Sequence, residues 1–182
     1  MAASLKQISS LLNGFSTEVT PASAKNVECF RSYLSPGTSV NVTFLPGSNI
    51  EDTIKVSVRL KNEGFNPVPH IVARNFKKIE GLELFLDQLV SKANVFEVLV
   101  IAGGIAKPLG PFSNSLQILN SGLLEKYSIK KVGVAGHPEG SPDISEANLA
   151  RAMSDKNEWA RNSDMDVYIA TQFCFDAASI IT

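Results

Sequence analysis

The densest chemistry in this chain lies in Gly136-His137-Pro138-Glu139-Gly140-Ser141-Pro142-Asp143. Two prolines fix φ, the glycines admit close backbone approach, and an imidazole, two carboxylates and a hydroxyl stand within a few residues of one another. The apolar run before them, residues 132–135, has the β-branched content of a buried strand. After them, Ser145 is placed as the N-cap of a helix. A buried strand that ends in a rigid polar loop ahead of a helix is where α/β folds hold their ligands.

Other positions carry similar promise. Glu18, in Phe15-Ser-Thr-Glu-Val-Thr-Pro21, is a carboxylate that an apolar cleft would push toward the protonated form of a general acid. A helix-entry charge ahead of Pro21 would use the same residue type, and the sequence does not separate the two. His70 sits in Pro67-Val-Pro-His-Ile-Val-Ala-Arg74, where it and Arg74 have the donors to hold a phosphate or a ring heteroatom. Ile101-Ala-Gly-Gly-Ile-Ala-Lys-Pro-Leu-Gly110 fits neither a dinucleotide fingerprint nor a P-loop, but its glycines suit close approach to a flat ring. Gln172, in Thr171-Gln-Phe-Cys-Phe-Asp176, offers a paired donor and acceptor to the edge of an amide-like heterocycle, beside aromatics. A metal held by His70, His137 and Glu139 is the competing chemistry, although no pair has a spacing such as His-x-x-x-His.

The elements that must position these residues alternate. Strand-like runs fall at 15–19, 39–44, 68–73, 96–101, 132–135 and 167–171, and helical periodicity at 22–33, 50–62, 79–93, 113–126 and 145–161. The first 13 residues also have helical spacing. Strand starts recur at roughly 24 to 36 residues, the interval of a βαβ unit, so a parallel sheet with helices outside is expected. Two closures compete: an open doubly wound sheet, or the first six units of an eightfold barrel cut short after its sixth strand. Under either, Glu18, Thr43, His70, Gly103, Gly104, His137, Glu139 and Gln172 sit at strand C-terminal ends and rim one cleft.

Composition narrows the classes. At 182 residues the chain reads as a single domain over 1–182. It is 44% hydrophobic and 19% charged, which is globular, and a net charge of −1 gives no electrostatic case for nucleic acid or an anionic membrane. Cys29 and Cys174 are in no metal or redox spacing and read as reduced thiols of a cytoplasmic protein, Cys174 in the core. No apolar run approaches a membrane span, and the N-terminus lacks the pattern of a secretory signal. The Asn41-Val-Thr43 sequon falls in an expected strand and reads as chance.

In order along residues 15–176, the motifs resemble those of methylenetetrahydrofolate reductases. Ser16-Thr-Glu18 with Pro21 looks like the family's first-strand segment, and Ser39-Val-Asn-Val-Thr43-Phe44 is similar to its second. Pro69-His70-Ile71 matches its Pro-His segment, Ala135 to Asp143 its fifth-strand loop, and Thr171 to Asp176 its sixth-strand ending. The resemblance implies a (β/α)8 TIM barrel holding FAD, with NAD(P)H reducing the flavin and the reduced flavin passing a hydride to 5,10-methylenetetrahydrofolate. It assigns Glu18 as the general acid and Gln172 to contact folate and nicotinamide in turn. It places Thr43, Phe44, His70, Ala102, Gly103, Gly104, His137, Ser141 and Lys156 around FAD, with Lys156 toward a phosphate. It also implies a homo-oligomer, no metal, and a role in methionine biosynthesis.

The chain departs from that pattern in places. Val19-Thr20-Pro21 replaces the family's double Phe and double Pro, and Gly104 stands where many members carry an Asp beside the flavin. Losing that carboxylate is expected to make the flavin easier to reduce. The expected barrel lacks strands seven and eight, which would leave sheet edges and an apolar face open. Two rivals follow: a non-catalytic flavin-binding or assembly module, and an open-sheet protein using His137 and Glu139 with a metal.

Overall fold

The computed structural model describes residues 4–45 and 47–181. Residues 1–3, part of the expected N-terminal helix, lie outside it. Six strands, β1 (Ser16–Val19), β2 (Ser39–Val42), β3 (Asn66–Val72), β4 (Glu97–Ile101), β5 (Lys131–Gly136) and β6 (Asp166–Thr171), form one curled sheet. Every neighbouring pair is parallel, and the strand order is the order of the sequence. A doubly wound sheet reverses its order at a switch point. This one never does, so right-handed crossovers put the helices that connect its strands on the convex face.

Helix α1 (Leu5–Leu12) precedes β1, helices α2 (Pro21–Ala24), α3 (Ile50–Asn62), α4 (Ile79–Ala93), α5 (Ser115–Leu119), α6 (Leu123–Lys126) and α7 (Glu146–Arg161) fill the connections, and α8 (Ala177–Ile181) follows β6. The largest core cluster packs Leu82, Phe85, Leu86 and Leu89 of α4 against Ile71, Val98, Val100, Val132 and Val134 of the strands. Their alternation leaves the other face to Val68 and Leu99 together with the polar Asn66, His70, Glu97 and Lys131. Prolines are unusual in a central strand because they cannot donate to a ladder. Asn66 N–H points to Thr38 on the β2 side, so Pro67 and Pro69 turn their nitrogens toward β4. Pairing with β4 begins only at His70, which is why β3 tolerates both.

Two expected helices differ. Over 22–33 only α2 and a 3-10 turn, Phe30–Ser32, form. There the Arg59 guanidinium donates to the carbonyls of Ala24, Val27 and Glu28, and the Glu63 carboxylate accepts Phe30 N–H. These tertiary partners replace the helical ladder, a case of context overriding local propensity. The segment 113–126 splits into α5 and α6 at Ser121, whose hydroxyl donates to Ile118 O and accepts Leu123 N–H.

Candidate functional site

Because all six strands run the same way, their C-terminal ends line one edge, and the site is built along it. In register, Glu18 lies beside Asn41, and Asn41 beside Val68. His70, two residues on from Val68, therefore shares the face of Glu18. Its Nε2 lies 3.7 Å from Glu18 Oε2. His70 is an interior residue of β3 rather than its terminus, and that depth is what buries it to 5% exposure. Both ring nitrogens lack a hydrogen-bond partner. Burial lowers its pKa, with Glu18 opposing more weakly, so the ring is neutral near pH 7. Thr43, just past β2, has a buried Oγ1 that is likewise unpartnered, and half-buried Phe44 follows. The Glu18 side chain is 59% exposed, because β1 is an edge strand with polar neighbours. The apolar surroundings expected around it are not what this strand provides.

After β4 the chain passes through Ala102, Gly103 and exposed Gly104. Gly103 has φ +95°, and a Cβ there would run into Val72 Cγ1, so the position requires glycine on two counts. Arg74 does not join His70 in a phosphate site. Its guanidinium donates to the carbonyls of Gly103, Ile105 and Ser113, and its main-chain N–H to Ala102 O. It therefore shapes the glycine loop from beneath.

After β5, His137 is half-buried, and its pKa is lowered by burial and then by the positive charge of Lys156. Lys156, on α7, is 9% exposed. Its Nζ donates to Ala135 O at 2.8 Å, and burial lowers its pKa. Ser141 Oγ accepts Asp143 N–H at 3.3 Å, which closes a small turn in the same loop. Glu139 goes elsewhere: its Oε1 accepts the main-chain N–H groups of Phe175 at 2.5 Å and Asp176 at 2.6 Å.

Gln172 sits next to this arrangement, just past β6. Its N–H donates to Gly136 O at 2.7 Å, and its side-chain Oε1 accepts Phe173 N–H at 3.0 Å. Phe173 and Phe175 stack edge to face, are 80% and 85% exposed, and flank Cys174, which is only half-buried. Neither the aromatics nor the thiol belong to the core. Glu18 and Gln172 occupy opposite ends of the strand order. Among the described residues no group of His, Cys, Asp and Glu gathers as a metal site, and no helix is long and apolar enough to cross a membrane.

The concave face also carries a network that the sequence reading missed. Glu97, 3% exposed, bonds to Asn66 Nδ2 at 2.6 Å, pairs with Lys131 Nζ at 3.1 Å, and accepts the Tyr168 hydroxyl. Asn66 also donates to Ser39 Oγ. Burial first, and Glu97 second, raise the Tyr168 pKa far above its usual value. Gly133 leaves the gap for the Tyr168 ring, since a Cβ there would lie 2.7 Å from its Cζ. The signal was available: Glu97 and Lys131 are charges that open central strands on the face of His70. This network lies on the face of His70, toward the strand starts. No protein-family model matches the chain.

Proposed function

We propose that this chain is a flavin-dependent methylenetetrahydrofolate reductase, its six βα units forming part of a (β/α)8 barrel. The observation that carries the reading is His70, a deeply buried imidazole with both nitrogens unpartnered beside Glu18 on the concave face. Unsatisfied buried polar groups are rare and call for a partner. The other residues fit FAD as well. Thr43 Oγ1 is a second buried orphan, Gly103 keeps a side chain out of the glycine loop, and Lys156 sets a cation beside His137. Thr43, Phe44, His70, Ala102, Gly103, Gly104, His137, Ser141 and Lys156 would hold the cofactor. When bound, FAD supplies a hydride acceptor for NAD(P)H and a hydride donor for the folate's one-carbon group.

The chain's own groups supply the rest. Glu18 delivers a proton to a ring nitrogen of 5,10-methylenetetrahydrofolate as the adjacent C–N bond breaks and the five-membered ring opens to the iminium ion. His70, neutral near pH 7, sets no positive charge against Glu18 in that role. Gln172 presents its carboxamide to nicotinamide and folate in turn, exchanging its local bond to Phe173 N–H for one to the ligand. With this reading go a cytoplasmic setting and a homo-oligomer.

The experiment is flavin uptake by the purified chain, followed by folate turnover with NAD(P)H. Tight FAD binding with 5-methyltetrahydrofolate as product supports the reading. A chain that takes up no FAD overturns it. The exposure of Glu18 and the glycine at position 104 favour a second reading, a non-catalytic flavin-binding module. That protein would bind FAD and oxidise NAD(P)H without ever consuming the folate.

A further inference from the structure

We infer that Glu139 is a positioning residue that latches the cofactor loop to the strand tip carrying Gln172; the functional half of this inference rests on the reading just given. The tips of β5 and β6 are joined twice. Gln172 N–H donates to Gly136 O at 2.7 Å, which continues the ladder one residue past Thr171. Beyond that no ladder exists, and the chain leaves as an exposed aromatic loop. Glu139 bridges that gap with a single carboxylate oxygen, taking two consecutive main-chain N–H groups, those of Phe175 and Asp176, at 2.5 and 2.6 Å. Charge-assisted bonds of this length are the strong kind.

The segment so held has little else to fix it. Phe173 and Phe175 are 80% and 85% exposed and pack on each other rather than on the core. Asp176 is turned the other way, its carboxylate accepting Ala178 N–H and the Ser179 hydroxyl at the start of α8. The latch therefore sets where α8 begins and brackets Gln172 between Gly136 O on one side and Glu139 on the other. Glu139 lies in the same turn as His137 and Ser141, where Gly140 N–H donates to His137 O. Ordering of that turn by a bound cofactor passes through one side chain to the residue that meets the substrate. Glu139 acts through Gln172, by the main-chain groups it holds beyond β6.

Both bonds end on Oε1, so glutamine at 139 keeps an acceptor and alanine does not. The test compares Glu139→Ala, Glu139→Gln and the wild-type full chain. Hydrogen exchange at the amides of Phe175 and Asp176 should speed up roughly tenfold or more in Glu139→Ala and much less in Glu139→Gln. In steady-state turnover, Glu139→Ala should raise the folate KM several-fold with kcat and FAD affinity held, and Glu139→Gln should restore most of it. Unchanged exchange in Glu139→Ala overturns the latch. Faster exchange with an unchanged KM overturns its role in positioning Gln172. Failure of the wild-type chain to bind FAD would count against the functional reading alone, and the exchange comparison would still decide the latch.

Discussion

His70 Nε2 and Glu18 Oε2 face each other at 3.7 Å across the intervening strand β2, one side chain deeply buried and the other half in solvent. The pair sets a pH dependence. Burial holds the folded pKa of His70 below the usual 6.5, so between the two values the unfolded chain binds more protons than the folded one. Stability then rises with pH through that window and is lost as pH falls from 6.5 toward the lowered value. His137 contributes with the same sign. Urea denaturation between pH 5 and 7 should give a rising midpoint, with a shallower rise in His70→Asn. Identical slopes would mean that His70 does not titrate with folding.

Replacing Glu18 by Gln removes the proposed proton donor and little else, because the side chain is exposed and its substitution opens no cavity. Folate reduction should slow by about 10²- to 10⁴-fold. Flavin reduction by NAD(P)H, followed separately by stopped flow, should keep its rate within a small factor. Loss of both half-reactions together would point to misfolding or lost flavin instead of lost acid catalysis.

The Glu97 network is expected to matter more for stability than for chemistry. Glu97→Ala leaves Asn66, Lys131 and the Tyr168 hydroxyl without their common acceptor. Because Glu97 is 3% exposed and Lys131 is not fully buried, the cost should be about 3 kcal/mol, below the upper range for a sealed ion pair. Chemical denaturation measures it directly. A cost under about 1 kcal/mol would show that the network is solvated and energetically idle.

Gly104 offers a test by restoration. An aspartate there places negative charge on the glycine loop, where the resemblance puts the flavin, and so disfavours its anionic reduced form. Gly104→Asp should lower the midpoint potential relative to wild type. The backbone permits the change, since a Cβ at Gly104 meets nothing within 4 Å. An unchanged or higher potential would place Gly104 away from the ring.

Much of this architecture was legible in the residues. The helix spans 50–62 and 79–93 follow directly from apolar spacing, because each packs one face on the sheet and the other on water. The helix expected over 22–33 failed because Arg59 and Glu63, over thirty residues away in sequence, capture its backbone groups. Local pattern carries no record of such a partner. At the site, residue types pointed to the strand tips, and parallel, sequential pairing places them on one edge. What each side chain does there was less readable. Arg74 turned to loop carbonyls and Glu139 to amides beyond β6, because each satisfies main-chain groups that no ladder reaches.

A flavin held by these strand tips is the central claim, and one spectrum tests it. Purified protein incubated with FAD and freed of excess cofactor should show the visible bands of oxidised flavin. Those bands should bleach when NAD(P)H is added without oxygen, and return when 5,10-methylenetetrahydrofolate follows. A colourless protein after the same treatment, or bound flavin that the folate cannot reoxidise, would contradict it.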